Sequence, residues 1–281
     1  MKERTIDRSQ FHGAIRKYND YNSLHIMKLC YAVYAGTTDT VGADEDWDIT
    51  EKLMMDAGYK MKHFDARKGI YEPNAMVVWD DDNVFLVFRG TEPTSWNQWA
   101  TDANLLRKPF CIGEIHRGFA NSVELIWSNI MECLNNVYLG KEKRLFIAGH
   151  SLGAGMSQVA ASKLEFEEEL HPTAIYNFGC PRALNCEGAK QYNQRLGSCT
   201  YRVVNNNDIV CNVPLEIMGF SHVGQFKYIS ASGELRDDLS DWRLLLDGVW
   251  GGAKALSDLK IAAFITDHLP PSYTKKLENL C

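Results

Sequence analysis

The stretch that most constrains this chain is Arg144-Leu145-Phe146-Ile147-Ala148, an apolar run of strand length, followed at once by Gly149-His150-Ser151-Leu152-Gly153 and the small residues Ala154 and Gly155. The run is too short for a buried helix and suits a strand covered on both faces. A strand that becomes a helix within so few residues crowds its own neighbours. Glycines at 149 and 153 remove the side chains that would collide there. The turn leaves the Ser151 hydroxyl exposed at a helix amino terminus, where backbone N–H groups and a partial positive charge converge. In a merely structural turn, Ser151 would instead cap the helix.

The rest of the chain fits around such a unit. Residues 22–35 and 47–57 read as helices, the second stopped by Gly58. Ala75–Trp79 and Val84–Phe88 read as strands joined by a solvated turn, Asp80-Asp81-Asp82-Asn83, in which the acidic residues suit a hairpin better than a calcium site. A helix is expected from about 117 to 137, with Phe119, Val123, Ile126, Trp127 and Ile130 on one face, and another from Leu152 to about Glu168. Thr173–Phe178, Cys199–Val204 and Gln225–Ile229 read as further strands, while 231–266 has no clear pattern. Strands alternating with helices predict an α/β fold with a mostly parallel central sheet flanked by helices. The absence of repeats and of Gly/Ser linkers reads as one domain over 1–281.

Composition excludes several classes of function. A net charge of −6 provides no electrostatic basis for binding nucleic acid. No uncharged apolar run reaches the roughly 18 residues of a membrane span, so no transmembrane segment is expected. The opening residues, Met1 to Arg8, are charged and are followed by no apolar core, which reads as a cytoplasmic chain without a signal peptide. The eight cysteines contain no Cys-x-x-Cys pair; they read as reduced thiols, and their spacing fits no zinc site.

A serine hydroxyl is a weak nucleophile until a histidine takes its proton, and that histidine needs a carboxylate to fix its tautomer. In α/β-hydrolases these groups follow in the order serine, acid, histidine. Downstream of Ser151, Tyr201 to Val204 is a strand, Asn205-Asn206-Asn207 a turn, and Asp208 stands just beyond it, where such acids collect. As a structural residue, Asp208 would bond its own backbone. Only His222 and His268 follow it. Chain order permits either as the base, and the position of His268 in a Pro-stiffened loop near the C-terminus favours it slightly. His116 and His171 precede Asp208 and read as structural or surface residues.

These residues resemble the class 3 lipases, the fungal-type triacylglycerol lipase family, over roughly residues 75–275. The likeness rests on Gly149-His150-Ser151-Leu152-Gly153-Ala154, Phe88-Arg89-Gly90-Thr91, His116-Arg117-Gly118-Phe119, Phe178-Gly179-Cys180-Pro181-Arg182, Asn205 to Val210, His222-Val223-Gly224, and His268 through Tyr273. The resemblance implies the α/β-hydrolase fold, and Ser151, Asp208 and His268 as triad, with His222 not the base. It also implies an oxyanion hole from Thr91 and the Leu152 N–H, hydrolysis of lipid carboxylic esters as a triacylglycerol lipase or phospholipase A1 does, and no metal or organic cofactor. Residues 92–106 match the position of the family's lid. There Trp96, Trp99, Ala100 and Ala103 share one helical face, which either covers an acyl groove and makes transient contact with a lipid interface or packs on the core. The rival reading is a non-catalytic lipase-like interaction module, as in signalling proteins that keep this fold. Three triad members in order speak against it.

Overall fold

The computed structural model describes residues 5–34, 47–90, 106–237 and 266–281. In chain order its strands are β1 (Lys60–Asp65), β2 (Asn74–Trp79), β3 (Asn83–Phe88), β4 (Arg107–Pro109), β5 (Glu114–His116), β6 (Arg144–His150), β7 (Ala174–Phe178), β8 (Leu184–Asn185), β9 (Thr200–Asn205), β10 (Phe220–Ser221), β11 (Gln225–Ile229) and β12 (Leu235–Arg236). The α-helices are α1 (Asp20–Ala32), α2 (Trp47–Asp56), α3 (Arg117–Val137), α4 (Leu152–Phe166), α5 (Cys186–Arg195) and α6 (Pro270–Glu278).

Eight strands form the main sheet in the order β1-β2-β3-β6-β7-β9-β11-β12. From β3 to β11 every neighbour is parallel, and antiparallel strands extend both edges. The parallel centre follows from sequence: β3, β7 and β9 are buried at every position, as strands covered on both faces must be. Alternate residues feed two cores. Val84, Leu86, Phe88, Leu145 and Ile147 pack with α3, α4 and α5 residues such as Val123, Val159 and Tyr192. Phe85, Val87, Phe146 and Ala148 pack with Ile26, Leu29, Met54, Tyr273 and Leu277 of α1, α2 and α6. The result is a three-layer α/β-hydrolase fold.

Two features differ from the expectation. Strand β1 has charged residues at 60, 62 and 65 and buries only Phe64, the pattern of an edge strand, which carries little apolar periodicity to read. The four-stranded antiparallel sheet β10-β8-β5-β4 is built of two- and three-residue strands, too short to show alternation. The acidic hairpin is a turn closed by its own carboxylate, with Asp80 Oδ1 accepting N–H groups of Asp82 at 2.9 Å and Asn83 at 2.7 Å. All eight cysteines are free thiols, five of them buried. Among the described residues no helix is long and apolar enough to cross a membrane.

The strand-to-helix turn has the crowding its glycines suggest. A Cβ on Gly149 would stand 2.2 Å from the carbonyl carbon and oxygen of Gly153, and one on Gly153 would stand 2.3 Å from the Phe88 carbonyl oxygen. Both obstacles are backbone and cannot rotate away. Gly149→Ala and Gly153→Ala are each expected to destabilise the fold by about 3 kcal/mol, the upper range for overpacking. The urea midpoint measures this, and a midpoint unchanged in either variant would contradict the packing described.

Candidate active site

Ser151 joins β6 to α4 with φ 59° and ψ −130°, a left-handed conformation rare outside glycine. It does not cap the helix: its side chain makes no cap bond, and its Oγ lies 2.8 Å from His268 Nε2. His268 Nδ1 lies 2.9 Å from each carboxylate oxygen of Asp208. An ionised carboxylate only accepts, so Nδ1 carries the proton and Nε2 is left to accept the serine O–H. The three residues are thus brought together in one hydrogen-bonded chain, with Ser151 and Asp208 buried and His268 partly so.

Asp208 stands just past the carboxyl end of β9 and also does what a turn aspartate does. Its Oδ1 accepts the Val210 N–H at 2.9 Å, capping a short 3-10 turn over Ile209–Asn212. Its Oδ2 accepts the Tyr273 hydroxyl at 2.6 Å. Burial pushes the Asp208 carboxyl up, but His268, by charge and hydrogen bond, and the Tyr273 hydroxyl together hold it below the usual carboxylate range. Asp208 therefore stays ionised while excluded from water.

The asparagines before Asp208 turn the chain and also hold the base's loop. Asn205 Nδ2 donates to the Asp267 carbonyl at 2.8 Å and to Ser272 Oγ at 2.9 Å, and the Asn205 N–H donates to Tyr273 Oη at 3.0 Å. Asn206, at φ 46°, donates through Nδ2 to Asp267 Oδ2 at 2.9 Å. The loop that delivers His268 is therefore pinned to the strand end that delivers Asp208. Gly179, at φ 57°, makes room for both, since a Cβ there would lie 2.7 Å from Asp208 Oδ2 and 2.9 Å from the His268 ring. In the sequence, Gly179 and Tyr273 stand out only as parts of motifs. A glycine after a buried strand was the available signal for the first; nothing local marked the second.

The other histidines weighed from the sequence, His222, His116 and His171, lie away from the serine. His222 donates from Nε2 to the Cys211 carbonyl at 2.7 Å and does not reach the serine. His116 is buried and accepts the Gly118 N–H at the start of α3, and His171 is exposed beside Glu165. Leu152 is the first residue of α4, whose leading N–H groups have no carbonyl of the same helix to meet. Thr91, Trp96 and Trp99 lie outside the described residues, as does 92–105 of the expected lid; Leu106, just before β4, is half exposed. Among the described residues no three His, Cys, Asp or Glu side chains are grouped to hold a metal ion.

Residues 85–218 match the family described as Lipase (class 3). The chain is 28% identical over 215 residues to the secreted mono- and diacylglycerol lipase A of Penicillium cyclopium, an alignment covering 74% of this chain and 63% of that lipase. A secreted mono- and diacylglycerol lipase of Malassezia globosa is 33% identical over 88 residues, 31% of this chain and 29% of its own. The crystal structure of a mono- and diacylglycerol lipase from Aspergillus oryzae superposes with a TM-score of 0.64 at 22% identity, covering 89% of this chain and 98% of that one, and establishes the shared fold. The chain thus spans less than two thirds of the length of the curated relatives it matches. The expectation of a cytoplasmic chain is overturned: relatives named as secreted point to an extracellular location. The charged residues Met1 to Arg8 describe that segment, not where the protein resides.

The histidines determine how stability responds to acid. Burial drives His150 down to about 3 and His25 and His116 down to about 4, and it holds His222 well below the ordinary histidine value. In the unfolded chain each titrates near 6.5. Between those values the unfolded chain binds protons that the native one refuses, so stability falls as pH drops from about 6.5 toward 4. The expected loss is on the order of 1 kcal/mol per pH unit per histidine, read from urea midpoints across that range. Stability that is flat or rises on acidification would contradict the buried neutral state.

Proposed function

We propose, from a chain whose residues 85–218 match the class 3 lipase family on an α/β-hydrolase frame, that it hydrolyses carboxylic esters of lipids as one unit through an acyl-enzyme. The observation that carries the reading is the single hydrogen-bonded chain from Ser151 Oγ through His268 to Asp208, with Nε2 free of its proton and directed at the serine. Ser151 attacks the acyl carbonyl while His268 takes the hydroxyl proton. His268 then returns the proton to the leaving alcohol, and water releases the acyl group by the same steps in reverse roles. Asp208 holds the tautomer and stabilises the imidazolium in a site where water does not screen it.

The negative charge that develops on the carbonyl oxygen falls at the amino terminus of α4. There we assign the Leu152 N–H as one oxyanion donor and Thr91, by its motif position, as the other. The relatives named mono- and diacylglycerol lipases point to acylglycerols as the substrate class. Residues 92–106, with Trp96 and Trp99, are proposed as the lid and as the part that meets a lipid surface.

Hydrolysis of p-nitrophenyl esters from C2 to C16, and of mono-, di- and triacylglycerols, tests the reading. Serine-dependent turnover is expected, with preference for long acyl chains. Ser151→Ala and His268→Ala should each lower kcat by roughly 10⁴–10⁶, and the double variant should be little worse because the residues act as a unit. His222→Ala should stay within about tenfold of wild type, since it does not touch the serine. Folded protein with no turnover on any ester, dispersed or in micelles, would remove the hydrolase reading in favour of a non-catalytic lipase-like module.

A further inference from the structure

His150, between Gly149 and Ser151 in the strand-to-helix turn, has an environment of its own. His150 is buried, and its Nε2 lies 2.7 Å from the backbone carbonyl oxygen of His268. A carbonyl can only accept, so Nε2 carries the proton and Nδ1 is an acceptor. Facing Nδ1 at 3.2 Å is the hydroxyl of Tyr34, a buried residue just beyond α1. That hydroxyl also accepts the Gly90 N–H at 2.9 Å, and because Nδ1 of the neutral ring has no proton, the Tyr34 O–H is the donor to it. The three hydrogen bonds then run in one consistent direction: Gly90 N–H to Tyr34 oxygen, Tyr34 O–H to His150 Nδ1, and His150 Nε2–H to the His268 carbonyl.

This relay joins three separately delivered parts of the site. Gly90 lies just past β3 and close to the nucleophile: a Cβ on it would lie 2.5 Å from Tyr34 Oη, 2.7 Å from the His150 carbonyl oxygen and 2.9 Å from Ser151 Cβ. His150 is the last residue of β6 and adjoins Ser151. His268 is on the loop before α6, and its ring packs on that of His150 with centroids 4.6 Å apart. We propose that Tyr34 and His150 are positioning residues which set the distance between the end of β3, the nucleophile and the base; this rests on the hydrolase reading above. Neither residue touches the serine hydroxyl. They act through the backbone of Gly90 and of His268, and a neutral His150 adds no second positive charge beside the imidazolium that forms on His268.

Tyr34→Phe removes one oxygen and keeps the ring in the core, and His150→Gln retains an amide donor for the His268 carbonyl while losing the Nδ1 acceptor. On a p-nitrophenyl ester, each variant is expected to lose kcat by about tenfold or more with KM within threefold. Affinity for an alkylboronic acid, which forms a tetrahedral adduct on the serine, should fall by the same factor as kcat. Because the two side chains form one relay, the double variant should be no worse than the weaker single variant. A purely structural role would lower the melting temperature and leave the kcat-to-KM ratio of losses even. Nitrogen-15 NMR of the His150 ring in the wild-type protein tests the relay without any variant: the neutral Nε2–H tautomer is expected from pH 8 down to pH 5. A Tyr34→Phe enzyme with full kcat, multiplicative losses in the double variant, or a proton on Nδ1 of His150 would each overturn the proposal. Absence of serine-dependent hydrolysis in the wild type would overturn the hydrolase reading instead, and the NMR result would still decide whether the relay exists.

Discussion

The arrangement depends on a backbone conformation held at one residue. Ser151 sits at φ 59°, in a region that costs a side-chain-bearing residue on the order of 1–3 kcal/mol, and the surrounding structure has to maintain it. It does so from both sides. The Ser151 N–H donates to the Phe178 carbonyl at 2.9 Å, which ties the turn to the neighbouring parallel strand, and the Ala154 N–H donates back to the Ser151 carbonyl at 2.9 Å, which starts the helix. Gly149 and Gly153 then meet backbone to backbone, and Gly153 meets the end of β3. A side chain at either glycine would push α4 off the sheet and move the hydroxyl with it.

Parallel topology explains why the other two groups arrive at the same place. In β3, β6, β7 and β9 the chain runs one way, so their carboxyl ends share one edge of the sheet, and the loops leaving them are neighbours whatever their separation in sequence. Asp208 leaves β9 at that edge, and Gly179 leaves β7 beside it. The C-terminal loop is added by specific bonds: Asn205 and Asn206 grip Asp267, and Tyr273 bridges Asn205 and Asp208. A carboxylate with no exposure to water is costly unless several donors surround it. Here the histidine, the tyrosine hydroxyl and the Val210 N–H supply them, so the donors that keep Asp208 charged also fix its position.

Legibility in the sequence followed the range of the interaction. Ser151 was readable because its requirements lie within five residues, and Asp208 because an asparagine-rich turn after an apolar strand marks a strand end. His268 and His222 were indistinguishable by order alone; what separates them is that one meets Ser151 Oγ and the other the Cys211 carbonyl. Tyr34 carries no local signal at all, since its hydroxyl acquires a role only where residues 90 and 150 fold against it. The small antiparallel sheet was missed because strands of two or three residues have no period. The cytoplasmic expectation failed for a different reason: it inferred a compartment from a missing pattern.

The sequence by itself determined the alternation of buried strands and helices, hence the layered parallel sheet, and the strand-glycine-serine-helix turn, because burial on both faces and steric crowding at a tight turn are properties of residues adjacent in the chain. Only the tertiary structure decided which histidine faces the serine, which tautomer it holds, and which glycine, tyrosine and asparagines keep it there. Those assignments depend on distances of 2.6–3.2 Å between groups about 60 to 120 residues apart, and the folded sheet is what sets them.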